Sequence, residues 1–243
     1  MSKSPTCKAC HTALNPAQSL GSKSGYDLLP CPECKTVTVN PFPTVEQLIA
    51  FYQSYQGSTD YQSKKDKKIR RAKRRIQRMI PLAPGKKFLD VGCNYGFTIA
   101  AALGLGLDAH GIDVDRTAVA ASQDMFGKEH YTAISVEDYA AQGHKADMVY
   151  TSEVIEHVPV PDSFVKAISQ ILNKGGILYL TTPDGGHFRL PKDFTKWEAV
   201  MPPEHIIYFT RKGIRHLLEK HGFKIRKFAF TLKPGMQVWA EKI

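Results

Sequence analysis

The sequence predicts an α/β fold: a parallel sheet with helices on both faces, preceded by a small cysteine-bearing module and a helical linker. Three observations carry that prediction. From Lys86 onward, short apolar runs alternate with segments of helical periodicity. A glycine-bearing turn, LDVGCNYGFT at residues 89–98, joins the first of those runs to the first of those helices. Ahead of the alternation, Cys7, Cys10, Cys31 and Cys34 gather within the first 43 residues, among polar turns.

Each element has its own signal. In TVEQLIAFYQSY, apolar or aromatic residues at 45, 48, 51, 52 and 55 have helical spacing, and Thr44 and Gln47 stand as a capping box. The run KKDKKIRRAKRRIQR at 64–78, with its continuation, sets Ile69, Ala72, Ile76, Met79 and Ile80 on one helical face and is stopped by Pro81 and Pro84. Residues 44–83 thus read as a helical linker between a module at 1–43 and a main domain at 84–243. In that domain strands are expected at KKFLDV, LDAHGID, HYTAISV, DMVYTS and GILYLTT, with helices over 97–103, 115–125 and 162–173 between them. A helix, RKGIRHLLEKHG, and two strand-like runs, FKIRKFAFTL and MQVWAEKI, close the chain.

Charge and length narrow the classes. No apolar h-region follows the first residues and no stretch offers eighteen uninterrupted apolar residues, so neither export nor a membrane span is expected and the cytoplasm is the expected compartment. The formal net charge of +10 comes almost wholly from residues 64–78, which hold ten Lys or Arg against Asp66 alone.

The turn points to a ligand. Open α/β sheets bind ligands where a strand passes into a helix, and the helix start offers free N–H groups there. Gly92 and Gly96 permit close backbone approach, and Asn tolerates left-handed backbone at 94. The spacing is not the G-x-G-x-x-G of dinucleotide sites, and a carboxylate at Asp90 would repel a pyrophosphate. Asp113, at the end of the second strand, is suited to the two hydroxyls of a ribose. A ligand with a ribose, a cationic group and no phosphate fits: S-adenosylmethionine. The alternative is a turn with purely structural glycines.

These residues resemble the class I S-adenosylmethionine-dependent methyltransferases, from about Lys86 to the C-terminus. LDVGCNYG is similar to their first motif, GID to their second and VEDY to the segment touching adenine; Asn94 replaces the usual middle glycine. The resemblance implies a Rossmann-like seven-stranded sheet with its last strand, MQVWAEKI, antiparallel. It also implies cofactor contacts from Asp90, Gly92, Asn94, Gly96, Asp113, Val114, Val136, Glu137 and Ser152. TSEVIEHV at 151–158 and PPEHIIYFT at 202–210 resemble the ubiquinone-biosynthesis O-methyltransferase subgroup, whose matching E-x-x-E-H residues are linked to a divalent cation. Mg²⁺ is therefore a further expected cofactor.

CKAC and CPEC supply four thiolates that can close tetrahedrally around Zn²⁺, with no open position for chemistry; disulfides are the alternative. Cys93 stands alone and is expected to pack. A similar ribbon before a methyltransferase domain occurs in enzymes acting on sugars, glycans or secondary metabolites, and an N-terminal zinc module in certain ribosomal RNA methyltransferases.

Methyl transfer needs positioning, a dry site and removal of the acceptor's proton. Glu153, Glu156 and His157 crowd one turn, and Glu156 and His157 are expected either to serve catalysis or to brace that turn. His205 is the expected general base, since imidazole titrates near neutrality, with a structural role as its alternative. The long segment from Asp184 to Phe209, with five aromatics, is expected to be a lid over the acceptor or else aromatic packing on the sheet edge. The favoured acceptor is a hydroxylated small molecule, sugar or glycan. The basic run at 64–78 reads first as a solvated helix face, with an anionic small substrate, a lipid surface or nucleic acid as its alternatives; RNA as acceptor, or a binding protein without chemistry, remain open, while the oligomeric state carries no sequence signal.

Overall fold

The computed structural model describes residues 4–54 and 65–243. The expected helical positions Tyr52 (for its side chain) and Tyr55, and Lys64 of the basic run, lie outside what is described. In chain order the elements are β1 (Ser22–Lys23), β2 (Tyr26–Pro30), β3 (Val37–Asn40), α1 (Val45–Ser54), α2 (Lys65–Met79), β4 (Lys87–Val91), α3 (Phe97–Leu103) and β5 (Asp108–Asp113). They continue as α4 (Arg116–Phe126), β6 (Tyr131–Ala133), α5 (Val136–Ala141), β7 (Ala146–Ser152), α6 (Pro161–Ile171), β8 (Leu172–Pro183), β9 (Ile207–Tyr208), α7 (Arg211–Lys220), β10 (Phe223–Phe228) and β11 (Gly235–Lys242).

Seven strands form one sheet in the order β10-β11-β8-β7-β4-β5-β6. β4 through β8 pair in parallel, and β11 pairs antiparallel with both β8 and β10, so β11 alone runs against the others. The α/β class and the reversed last strand are as the sequence implies. Strand order reverses at β4, which lies between β5 and β7, and this puts the glycine turn at the switch point of the sheet.

Period-two alternation sends neighbouring side chains to opposite cores. Phe88, Met148, Tyr150, Tyr179 and Trp239 meet Ile99 and Ala102 of α3 and Ala72, Ile76 and Met79 of α2. Leu89, Val91, Val149, Leu178 and Leu180 join α6, α7 and, in one continuous cluster, the N-terminal ribbon. Of the stripe expected on the basic run, Ala72, Ile76 and Met79 are buried and Ile69 packs against them partly buried, whereas Ile80 is exposed where the helix gives way at Pro81. The capping box ahead of α1 is formed: Thr44 N–H donates to Gln47 Oε1 at 2.8 Å and Gln47 N–H to Thr44 Oγ1 at 3.2 Å.

Several features differ from expectation, among them the strand over FKIRKFAFTL, which stops at Phe228. HYTAISV is strand only to Ala133, because the Ser135 hydroxyl accepts from Asp138 N–H and starts α5. The helix expected over 162–173 ends at Ile171, where Leu172 enters β8. The stretch from Asp184 to Phe209 is not an open lid: Phe194, Trp197, Tyr208 and Phe209 are buried, the first three in one aromatic cluster, and only Phe188, 69% exposed, stands out.

That stretch acts as a strap. Its β9 pairs antiparallel with β3 of the ribbon, Val37 opposite Tyr208 and Thr38 opposite Ile207. The ribbon sheet, β1-β2-β3-β9, is therefore completed by a strand from near the other end of the chain. The Thr210 hydroxyl donates to the Cys34 carbonyl at 2.5 Å and accepts from Gly213 N–H, so one side chain both caps α7 and holds the ribbon.

Candidate functional site

The turn after β4 has the backbone its residues predict. Gly92, Asn94 and Gly96 all have positive φ, at 79°, 45° and 72°. A Cβ at Gly92 would overlap Val154 and one at Gly96 the Tyr131 ring, so both positions need glycine for space as well as for φ. Asn94 tolerates its conformation by accepting from Tyr95 N–H through Oδ1 at 2.8 Å.

Asn94 N–H donates to Asp113 Oδ2 at 2.8 Å and Asp115 N–H to Oδ1 at 3.0 Å, which fixes the carboxylate plane at the end of β5. Each oxygen keeps lone-pair capacity for a hydroxyl. Burial pushes the Asp113 carboxyl up, against these two bonds that pull it down. Val114, 75% exposed, offers an apolar surface beside it. Val136 is buried at the start of α5, and Glu137 accepts from the Ser163 hydroxyl at 2.9 Å, tying α5 to α6. Ser152, ending β7, shares a 2.7 Å hydrogen bond with the Thr181 hydroxyl.

Asp90 corrects one expectation. It is only 2% exposed, and burial pushes its carboxyl up to about 8, with the Thr98 hydroxyl lowering it and Asp113 raising it further. At neutral pH the ligand-free carboxyl is mostly protonated, because a desolvated charge without a counter-ion is costly. Burial therefore opposes the negative charge read from the sequence, and a cationic ligand would favour it.

Two spaces adjoin. A pocket of about 190 Å³ is lined by Asp90, Gly92, Asn94 and Ser152 together with Lys68 and Arg71 of α2. A cavity of about 680 Å³ beside it is lined by Arg71, Arg75, Thr181, Phe230, Leu232 and Met236, among others. Glu153 and Arg71 belong to both walls. Glu153 has φ 57°, uncommon outside glycine, held by its N–H donating to Thr181 O at 2.9 Å and its Oε1 accepting from the Thr181 hydroxyl at 2.7 Å. Its place at the boundary was missed by sequence reasoning, which noted only that it shares a turn with Glu156 and His157. The basic run was read as a solvated face or a site for an anionic partner, with no sign that Arg71 and Arg75 line a cavity.

Glu156, His157 and His205 do come together: one ligand atom from each lies within 4.8 Å of the others. None of the three lines either space. His157 Nδ1 donates to Glu204 O and His205 Nδ1 to Ala199 O, both at 2.7 Å. Glu156 is fully buried, with Oε2 accepting from the Thr182 hydroxyl and Oε1 without a partner among the described residues. Burial and the Glu153 charge hold the Glu156 carboxyl well above its usual range, while burial and His205 lower His157 to about 4. Burial thus favours the neutral form of each. Mg²⁺ does not fit this set, because it takes hard oxygen ligands and several waters, whereas two of these three donors are imidazole nitrogens and the one carboxylate is fully buried. The turn after β7 is joined to the strap by a backbone bond, Ile206 N–H donating to Glu156 O at 3.1 Å.

The four N-terminal cysteines form the second centre. Sulfur–sulfur distances of 3.5 Å for Cys7–Cys34, Cys10–Cys31 and Cys10–Cys34 are far beyond the roughly 2.05 Å of a disulfide, and all are free thiols. Each C-x-x-C pair turns the same way. His11 N–H donates to Cys7 O and Lys35 N–H to Cys31 O, and His11 and Lys35 both have φ 62°. Ala9 N–H approaches Cys7 Sγ at 3.4 Å and Cys34 N–H approaches Cys31 Sγ at 3.5 Å, which favours thiolates at those positions. Cys93 is buried and unconnected to this centre.

Among the described residues no helix is long and apolar enough to cross a membrane. Residues 61–227 match the family described as a methyltransferase domain. A ubiquinone biosynthesis O-methyltransferase of Thiobacillus denitrificans is 38% identical over 112 residues, covering 44% of this chain and 48% of that protein. One from Cupriavidus pinatubonensis is 28% identical over 176 residues, covering 64% and 68%. The chain spans about half the length of most of the curated relatives it matches. Among solved structures, magnesium protoporphyrin IX methyltransferase from Synechocystis PCC 6803 with bound SAH superposes with a TM-score of 0.58 at 16% identity, covering 80% of this chain and 93% of that one. That likeness is one of fold.

Proposed function

The chain belongs to the methyltransferase-domain family, and we propose that it moves the methyl group of S-adenosylmethionine onto a hydroxyl oxygen of a small molecule, sugars included. The observation that carries this reading is the pair of adjoining spaces with Glu153 on their common wall. In the transfer the sulfur–methyl bond breaks as the oxygen–methyl bond forms, and the hydroxyl proton must leave. Asp113 would accept both ribose hydroxyls, and Asn94 and the glycine backbone would let the donor lie close. Val114, Val136 and Glu137 would border the adenine. Asp90 and Ser152 line the smaller space, where Asp90 would answer the donor's positive charge.

Glu153, as the boundary carboxylate, takes the role of general base in this reading. Glu156, His157 and His205 position it by bracing the turn from within.

Cys7, Cys10, Cys31 and Cys34 would hold Zn²⁺. Four thiolates fill a tetrahedral ion, so the metal would supply folding energy and no chemistry.

An RNA acceptor is the second reading, favoured by the exposed Lys67, Arg70, Lys73 and Arg74 on α2. Incubation with a methyl-labelled donor tests the choice. Label in an ether product of a small hydroxylated compound supports the first reading. Label in RNA, with binding that falls steeply as salt rises, supports the second.

A further inference from the structure

Resting on the methyl-transfer reading, we propose that the acceptor taken by the larger cavity carries an anionic group, a carboxylate or a phosphate, gripped by Arg71 and Arg75. The two arginines are one helical turn apart on α2 and therefore share a face, and both line the cavity. Arg75 is half-buried and held in place: its Nη1 donates to the Tyr150 hydroxyl at 2.8 Å, and its guanidinium lies 5.4 Å from the Tyr179 ring centroid. That anchoring uses one of five N–H donors and leaves the others available.

Among the described residues neither arginine is in ion-pair contact with a carboxylate; the Glu153 charge on the same wall favours the charged form of Arg75 without touching it, so three cations face one carboxylate across the cavity. A half-buried guanidinium with no carboxylate in contact gains from an added anion, and a planar fork of donors matches carboxylate or phosphate oxygens two at a time. Lys233 on the same wall adds a third positive charge.

The remaining charge on the wall orders the acceptor. Glu153 is its carboxylate, tied to the Thr181 hydroxyl and shared with the donor pocket. An anion is repelled there and drawn to the arginines, so the hydroxyl to be methylated is left at the Glu153 side. Phe230, Leu232 and Met236 give the rest of the wall an apolar character suited to a ring or short chain. A hydroxylated, partly apolar, anionic small molecule satisfies all three surfaces together; an RNA strand would leave the apolar wall unused.

The test uses full-length, metal-loaded protein saturated with S-adenosylhomocysteine. Calorimetry compares caffeate with methyl caffeate, and glucose 6-phosphate with glucose. In at least one pair the charged member should bind about tenfold tighter or more, and the pair that does so tells carboxylate from phosphate. Arg71→Gln should shrink that gap about fivefold, and adding Arg75→Gln should close it. Because Arg75 is packed on two tyrosines, Arg71→Gln at its exposed position carries the test alone if the double variant does not fold. Equal affinities within both pairs, including no measurable binding by any member, overturn the proposal, as does a gap that survives Arg71→Gln. An RNA oligonucleotide that displaces the bound acid through these same arginines also overturns it. Failure of the underlying reading is separable: it would appear as absent S-adenosylhomocysteine binding, before any acceptor is added.

Discussion

In the ribbon, the larger buried side chains are few, Leu14, Leu28, Leu29, Val37 and Val39, and they surround four thiols; each face of the seven-stranded sheet buries rows of large side chains under helices. A sheet covered on both sides can be stable from apolar burial alone, whereas some forty residues with so thin a core need a cross-link or a metal. The two regions nevertheless share a core cluster, a strand pair and the Thr210 side chain. The contrast separates residues whose loss should cost structure from residues whose loss should cost chemistry.

The largest expected effect tests the ribbon side. Cys31→Ser, or chelation of the metal, should expose residues 4–43 to protease and lower the melting temperature, since structural zinc contributes about 10–16 kcal/mol in small modules. Unchanged protection, with no zinc by elemental analysis, would remove the metal from the account. Next comes the site. Glu153→Gln should lower kcat about 100-fold while donor affinity and melting temperature hold steady; a normal kcat would show that another group takes the proton. Asp113→Ala should weaken S-adenosylhomocysteine binding about tenfold with an unchanged circular dichroism spectrum.

A smaller effect is pH-dependent. Burial favours the neutral form of Asp90, so its contribution to ligand-free stability is lost as pH rises through about 8. A cationic donor favours the charged form instead. Donor affinity should therefore increase several-fold from pH 6 to pH 8 with release of a proton, and Asp90→Asn should flatten the profile. Calorimetry in two buffers of different ionisation enthalpy would detect the proton, and none would count against this coupling. The smallest effect probes the joint between the regions: Thr210→Val should cost about 1–2 kcal/mol, read by denaturant melting, with kcat little changed.

Much of this was legible beforehand for a physical reason: local patterns encode local structure. The capping box at Thr44 and Gln47, the switch-point turn at Gly92–Gly96, the buried stripe of Ala72, Ile76 and Met79 and the paired C-x-x-C turns all depend on neighbours a few residues away. The pairing of Val37 with Tyr208 depends on residues far apart in the chain, and two-residue strands carry no periodicity. The cavity beside Arg71 and Arg75 was not legible because periodicity identifies which face of a helix is buried, not what lies along its margin. Burial likewise decided the protonation of Asp90, where residue type alone suggested a charge. His205 was read as a base from its residue type; its Nδ1 is tied to Ala199 O and it lines neither space, so that role falls to Glu153 in the proposed mechanism.

The β3–β9 pair has one more consequence, for biosynthesis. Its two strands lie about 170 positions apart, so the nascent ribbon leaves the ribosome with one edge unsatisfied and must wait for most of the polypeptide to follow. Early metal capture would give that waiting segment a defined shape, and the returning strand would then clasp it.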